Sequence, residues 1–267
     1  MTHNAADIKV NMMNTKLSGT VAIVTGASSG IGRATARAFA ELGASVAVVA
    51  RRRERLDELV ADIEGQGGTA IAVAADITDR VQAEAAVAKV VETFGRLDIL
   101  INNAGLMLLG HVVDTEVEEW ERMISVNQLG LLYMTKASLP HLLVAASDDV
   151  RGVADIVNIS SIAGRQAWPN FAAYNMTKFG VNGFTEALRQ EVTQKQVRVG
   201  VLEPGAVATE LVSQNNQKIQ DELAASDAAA IPVTLQPEDI AESIAYMVTR
   251  HPRSSIAELW AMPTSQA

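Results

Sequence analysis

The chain has 267 residues, of which 48% are hydrophobic and none is cysteine; its formal net charge is −9 and its sequence pI about 5.0. That length admits one α/β domain with a substantial core. The acidic balance argues against a nucleic-acid-binding protein and against docking on an anionic membrane surface, and the missing cysteines exclude disulfides, thiolate metal sites and cysteine nucleophiles.

Residues 1–16 are polar and carry neither a basic n-region nor an apolar h-region. They are expected as a poorly ordered tail rather than a signal peptide, and 17–267 as one catalytic domain. No uninterrupted apolar run reaches the length of a membrane span. These features, with a cysteine-free composition, lead to an expected cytoplasmic location.

From Val21 onward, apolar runs alternate with amphipathic stretches. Val21–Thr25, Ser45–Ala50, Ala70–Ala75, Ile99–Asn102, Asp155–Ile159 and Arg198–Leu202 read as strands, with Ile256–Ala261 as a possible last one. They are rich in Val and Ile, as burial on both faces of a parallel sheet requires. Ile31–Leu42, Arg53–Gln66, Arg80–Thr93, Glu116–Leu143 and Phe171–Lys195 read as helices. Such alternation predicts a single Rossmann-type, doubly wound parallel sheet with helices on both faces. The stretch Ser213–Ala230 stands apart, rich in Gln, Asn, Ala and Asp. It fits either a lid or a solvated surface helix.

The first strand runs straight into Gly26-Ala27-Ser28-Ser29-Gly30-Ile31-Gly32, and a helix pattern follows at once. Glycines there permit a tight turn and close approach of the backbone to a pyrophosphate. The helix N-terminus offers unpaired N–H groups to it. The spacing Gly-x-x-x-Gly-x-Gly differs from the usual Gly-x-Gly-x-x-Gly fingerprint. After the second strand come Arg51-Arg52-Arg53 rather than an acid. An acid would bind the ribose 2′-hydroxyl of NAD, whereas an arginine accommodates the 2′-phosphate of NADP. Arg51 is the residue expected to meet it, which favours NADP(H) over NAD.

Tyr174 and Lys178 stand at i and i+4, and Ser161 thirteen residues before the tyrosine. That spacing puts phenol and ammonium on one face of a helix. An ammonium beside a phenol favours the phenolate, so Lys178 is expected to lower the Tyr174 pKa toward the working pH. A serine hydroxyl nearby can donate to the oxygen of a bound carbonyl or alcohol. By itself Tyr-x-x-x-Lys also fits a half-buried helix with one surface lysine.

These residues together resemble the short-chain dehydrogenase/reductase family, in its compact single-domain branch, from about Leu17 to the C-terminus. Thr25-Gly26-x-x-x-Gly30-x-Gly32 is similar to the family's cofactor loop, to which Ser28, Ser29 and Ile31 belong. Asp76, beside Ile77, matches the acid that contacts adenine. Asn102-Asn103-Ala104-Gly105 matches the motif that steadies the central sheet and lines the cofactor. Asn127, Ser161, Tyr174 and Lys178 match the catalytic tetrad. Pro204-Gly205, with Val207 and Thr209 beyond, matches the segment that grips the nicotinamide end. Arg52 joins Arg51 among the implied cofactor contacts.

The resemblance implies NADP(H) as cofactor, a ketone, aldehyde or secondary alcohol as substrate, and hydride transfer. Tyr174 is then the proton donor or acceptor, Ser161 the group that holds the substrate oxygen, and Lys178 the group that holds the nicotinamide ribose and tunes Tyr174. Asn127 is expected to interrupt its helix and hold a water that links Lys178 to solvent. Successive strand residues point to opposite sides, so Ser160 is expected to turn inward and Ser161 toward the substrate. Met107, Leu108, Trp168, Phe171 and Leu211 are expected to line an apolar pocket with Ser161. Arg165 is either a contact for an anionic substrate or a surface cation. A homotetramer or dimer is implied, through the helices Glu116–Leu143 and Phe171–Lys195. The ending Leu259-Trp260-Ala261-Met262-Pro263-Thr264 lacks the Asp-Gly-Gly-type tail of many relatives and looks more like the branch holding clavulanate dehydrogenase and the hydroxy-acid dehydrogenases. The rival is a non-catalytic NADP(H)-binding sensor or scaffold on the same fold, which has no need of all four tetrad members.

Overall fold

The computed structural model describes residues 16–148, 150–225 and 234–266 of the chain. Residues 1–15 of the expected tail lie outside the described residues, and packing is in place by Leu17. Leu17 is fully buried, and its N–H donates to the Leu42 carbonyl at 2.9 Å.

Among the described residues there are seven strands in one sheet. They are β1 (Val21–Thr25), β2 (Ser45–Ala50), β3 (Thr69–Ala74), β4 (Ile99–Asn102), β5 (Ala154–Ile159), β6 (Val197–Pro204) and β7 (Glu258–Ala261), in the order β3-β2-β1-β4-β5-β6-β7. All pairs are parallel. Side chains alternate across a strand, and both sides of β1 find cover. Ala22 and Val24 pack with Phe39, Leu56 and Ile240 on one face; Val21 and Ile23 pack with Val87, Met134 and Leu188 on the other.

The first of these layers comprises α1 (Gly30–Glu41), α2 (Arg53–Gly65) and α8 (Pro237–Val248). The second comprises α3 (Arg80–Phe94), α5 (Leu131–Ala146) and α6 (Ala172–Val192). Two shorter helices, α4 (Val117–Ile124) and α7 (Gln217–Ala225), lie at the carboxyl ends of the strands' connections. The expected Rossmann-type fold is therefore the observed one. Its direction of winding reverses between β1 and β4, and such a reversal opens a crevice at the carboxyl edge of the sheet.

Two expected helices are altered. Glu116–Leu143 is not one regular helix: it is α4, a π-helical turn at Ser125–Gly130, and then α5. A side chain at Gly130 would place its Cβ 2.8 Å from Ile77 Cδ1, so the turn lies hard against the loop after β3. Phe171–Lys195 keeps its α-helix only to Val192, then tightens into a 3₁₀ turn at Thr193–Lys195. The run Val117–Ala146 is long and apolar enough to pass as a membrane span by composition. Its Met123, Met134 and Leu142 are fully buried, which accounts for its hydropathy as that of a core helix.

Candidate active site

The crevice is held open and in register by Thr25. Its hydroxyl donates to Ile101 O at 3.2 Å and accepts from the N–H groups of Asn103 and Ala104 at 3.0 and 3.1 Å. Asn103 returns the tie, donating from Nδ2 to Thr25 O at 2.9 Å. The glycines of the first loop then have no room for a side chain. A Cβ on Gly26 (φ +65°) would sit 2.8 Å from Ala104 Cα, and one on Gly32 would sit 2.5 Å from Asn103 Nδ2. A Cβ on Gly30 (φ +51°) would meet Thr209 Cγ2 at 3.1 Å, so the segment after β6 closes against the same loop.

Ser29, the N-cap of α1, gives that helix no side-chain cap, which leaves its first N–H groups facing outward. A cleft of about 570 Å³ opens there, lined by Ser28, Ser29, Gly30, Arg33, Arg55 and Glu210 among others. Arg33 has its Nε buried without a hydrogen-bond partner. Bare backbone, an uncapped helix start and an unsatisfied guanidinium fit a phosphate-bearing dinucleotide.

At the end of β2 the two expected arginines part company. Both are exposed, and the guanidinium that reaches the loop belongs to Arg52. Arg52 donates from Nη2 to Ser28 Oγ and Ser29 Oγ, both at 2.8 Å, and from Nη1 to Glu210 Oε2 at 2.9 Å. Arg55, on the next turn of α2, donates to Glu210 Oε1 at 2.6 Å. These two arginines hold the Glu210 carboxyl far below the usual carboxylate range, at about 2. Asp76 accepts from Thr78 N at 3.0 Å, which fixes the turn after β3, while Ile77 is buried beneath Gly130.

Asn127, Ser161, Tyr174 and Lys178 converge at the carboxyl ends of β4 and β5. The π-turn, a predicted interruption of the helix, aims Asn127 inward. Its Oδ1 accepts from Leu106 N and its Nδ2 donates to Leu106 O, each at 2.8 Å, and Nδ2 also donates to Thr177 Oγ1 at 3.0 Å. The side chain thus pins the loop after β4. A Cβ on Gly105 of that loop would stand 3.7 Å from Asn127 Oδ1 and 3.9 Å from Lys178 Nζ. Glycine keeps the backbone clear beside the amine.

Ser160 turns inward to donate to Lys178 O at 3.3 Å, while Ser161 Oγ accepts from Ala163 N at 3.1 Å and lies on the Tyr174 side. The assignment of Ser161 as the outward member follows. The expected lowering of the phenol pKa does not occur. Burial pushes Tyr174 up to about 12, opposed only by the nearby Ser161 hydroxyl. Burial also pushes Lys178 down to about 8. The reason is geometric: Lys178 Nζ stands 5.7 Å from the centre of the tyrosine ring and donates to Ile159 O at 2.9 Å. Desolvation outweighs attraction at that range.

Met107, Leu108, Tyr174 and Ile219 form one apolar cluster with Phe171 and Leu211 packed on it. Trp168, 38% exposed, meets Phe171 edge-on at 5.7 Å, and Phe171 meets Tyr174 the same way at 6.3 Å. Arg165 is held in an ion-pair cluster. It donates to both carboxylate oxygens of the buried Glu203 at 2.9 and 3.0 Å, pairs with Glu258 and stacks over Trp260. Of the stretch Ser213–Ala230, residues 226–230 lie outside the described residues. The remainder forms α7 and a 3₁₀ turn at Val212–Gln214. Asn215 anchors it, accepting from Leu109 N at 2.7 Å and donating to Met107 O at 2.9 Å.

Four residues of the site escaped the sequence reading. Arg33 and Arg55 carried a usable signal, since each lies one helical turn beyond a residue already singled out, Gly30 and Arg52. Glu210 and Asn215 carried none, because their partners are distant in the chain.

Fold and site together define an oxidoreductase built on a dinucleotide-binding sheet. A family model for short chain dehydrogenases matches residues 20–220, and the chain belongs to the short-chain dehydrogenase/reductase family. It is similar to glycine betaine reductase of Emericella nidulans, with 36% identity over 94% of this chain, and spans 19% of that much longer protein. Among solved structures it is similar to the 3-ketoacyl-(acyl-carrier-protein) reductase of Brucella melitensis complexed with NADH. The TM-score is 0.81 at 32% identity, over 94% of this chain and 99% of the other. A metagenomic short-chain oxidoreductase in complex with NADP aligns with a TM-score of 0.78 at 33% identity, over 93% and 99% of the two chains.

Proposed function

We propose that the protein is an NADP(H)-dependent carbonyl reductase and alcohol dehydrogenase acting on a small ketone or aldehyde, or on the corresponding secondary alcohol. The observation that carries it is the convergence of Ser161, Tyr174 and Lys178 at the carboxyl end of β5, where Lys178 Nζ stands 5.7 Å from the Tyr174 ring centre and donates to Ile159 O. A sensor or scaffold has no use for that arrangement.

Bound nicotinamide supplies the hydride. The chain supplies position and the proton. Ser161 donates to the substrate oxygen and steadies the charge that grows on it. Tyr174, pushed to about 12, holds its proton throughout the neutral range and releases it to an oxygen gaining charge. Lys178 would hold the cofactor's ribose, with Gly105 leaving space beside its amine. Asn127 fixes the Leu106 backbone that borders the substrate. Tyr174 is 5% exposed beneath Met107, Leu108, Phe171 and Ile219, so a substrate enters by displacing α7 and the segment before it. The apolar cover favours a substrate with an apolar body. Two of the similar proteins are named as reductases, which supports the reductive direction.

The Arg52 contacts with Ser28 and Ser29, and the absence of an acid after β2, support NADP(H) over NAD. The similar solved structures hold NADH in one case and NADP in the other. A cytoplasmic location and a homo-oligomer, dimer or tetramer, complete the proposal. The test is kcat/KM for NADPH and for NADH against a panel of ketones and aldehydes. A clear preference for NADPH with turnover is expected. A preference for NADH overturns the cofactor choice, and silence across the panel favours the non-catalytic rival.

A further inference from the structure

Glu210 sits on the segment after β6, yet its carboxylate lies at the end of β2. It spans Arg52 and Arg55, taking one hydrogen bond on each oxygen, at 2.9 and 2.6 Å. Arg52 meanwhile keeps its other nitrogens on Ser28 and Ser29. A dianion that enters between the serines and the two guanidiniums finds one carboxylate already there. All three charged side chains remain 42–44% exposed, so they are free to exchange partners with a ligand from solvent.

Arg33 marks the same place from another direction, because its Nε is buried and unpartnered where it lines the cleft with Ser29 and Glu210. A closed structural ion-pair network would satisfy that group. A network that a ligand completes leaves it waiting.

We infer that Glu210 is a built-in competitor for the 2′-phosphate of the adenosine ribose. Its carboxylate occupies the Arg52–Arg55 pair when no phosphate is there, and the phosphate takes those hydrogen bonds over when it binds. Glu210 therefore sets how strongly the chain discriminates between phosphorylated and plain adenosine. This rests on the proposed NADP(H) reading for its biological use. The exchange itself is a property of three side chains and is measured separately. Charge repulsion between Glu210 and a phosphate adds to the competition and is removed by the isosteric amide.

The experiment is calorimetric titration of the full chain, wild type and Glu210→Gln, with 2′,5′-ADP and with 5′-AMP, which differ only in the 2′-phosphate. Glu210→Gln should tighten 2′,5′-ADP roughly fivefold, the scale set by exposed ion pairs, and leave 5′-AMP within about twofold. In an Arg52→Ala/Arg55→Ala background the same substitution should lose most of its effect on 2′,5′-ADP, since both contested cations are gone. Circular dichroism verifies that each variant is folded.

Tighter 2′,5′-ADP binding upholds the exchange. If the wild type already favours 2′,5′-ADP, both readings stand. If the wild type does not, the exchange stands, the cofactor reading fails, and Glu210 is the group that turns the phosphate away. Unchanged or weaker binding by Glu210→Gln overturns the exchange, whichever ligand the wild type prefers. Persistence of the full gain without both arginines overturns it too, because a diffuse charge effect then explains the result.

Discussion

Lys178 and Tyr174 lie near one another without pairing. The amine is 5.7 Å from the centre of the phenol ring and gives its hydrogen bond to Ile159 O. One turn of helix places both groups on one face, and burial then moves their pKa values apart, the amine down to about 8 and the phenol up to about 12. Each shift favours the neutral form. The electrostatic gain that the i, i+4 spacing suggests awaits a ligand that brings further polar groups to the amine.

The Lys178 shift makes stability depend on pH. In the unfolded chain the amine keeps its proton to about 10.5, and in the folded chain only to about 8. Below pH 8 both states are protonated and the buried ammonium is a constant penalty. Between pH 8 and 10.5 the unfolded state binds more protons, so stability rises with pH. At about 1.4 kcal/mol per pKa unit the full rise is about 3 kcal/mol. Urea unfolding of wild type and Lys178→Met at pH 7 and pH 10 measures it. The wild type should gain most of that amount relative to the variant. Parallel pH profiles would show that the amine is better solvated than its burial implies. Tyr174 acts with the opposite sign, but only between pH 10 and 12, outside the comparison.

Tyr174→Phe separates chemistry from binding. The ring packs edge-on against Phe171 at 6.3 Å, and phenylalanine keeps that contact. Only the hydroxyl is lost. Turnover should fall by about 10²–10⁴, the contribution of a positioned proton donor. NADPH affinity, followed by quenching of protein fluorescence, should stay within about twofold. Residual turnover near the wild-type level would remove Tyr174 from the proton path.

The framework of this molecule was legible because its central strands are buried on both faces and its long helices on one. Val21–Thr25 and Ser45–Ala50 therefore announced themselves by composition alone, and β1, β2 and β4 coincide with their expected bounds. The π-turn at Ser125–Gly130 left a fainter mark. Asn127 in an otherwise apolar helix suggests local disruption, but the turn's shape follows from tertiary contacts to Leu106 and Ile77. Asn127 and Ser161 were picked out by the family resemblance, Tyr174 and Lys178 by their i, i+4 spacing as well. The pKa shifts of the last two were not legible, because spacing reports neighbours and says nothing of desolvation. Arg51 and Arg52 are equal in the sequence, and only the course of the chain after β2 decides which guanidinium turns to Ser28. Glu210 lies 158 residues from Arg52, beyond any local pattern.

Gly32 and Gly65 should respond oppositely to alanine. A Cβ on Gly32 meets Asn103 Nδ2 at 2.5 Å and Gly26 O at 2.6 Å, the second being backbone that cannot yield. Gly32→Ala should lower the unfolding free energy by about 1–3 kcal/mol, as overpacking does, and weaken dinucleotide binding with it. Gly65, the last residue of α2, has nothing within 4 Å of its Cβ position. Gly65→Ala should stabilise by about 0.4–1 kcal/mol through the unfolded chain. Denaturant midpoints of the two variants give both signs at once. Equal effects would mean that the first loop relaxes freely, contrary to its ties to Asn103.

The proposed oligomer is testable on one face. Val117, Leu129, Leu132, Met176 and Phe179, on α4, the π-turn, α5 and α6, are each at least 37% exposed, and α4 packs against α6. A monomer has little reason to present so many large apolar side chains on neighbouring helices. A two-fold contact would bury each of them twice, since an isologous interface uses the same patch on both copies. Sedimentation velocity should show a dimer or tetramer for the wild type. Phe179→Glu places a charge in the middle of that patch and should shift the distribution toward monomer, with the unfolding midpoint falling as the interface is lost. A wild type that sediments as a monomer at micromolar concentration removes the interface. An oligomer indifferent to Phe179→Glu moves it elsewhere, to the edge strand β7, where Trp260 is 46% exposed.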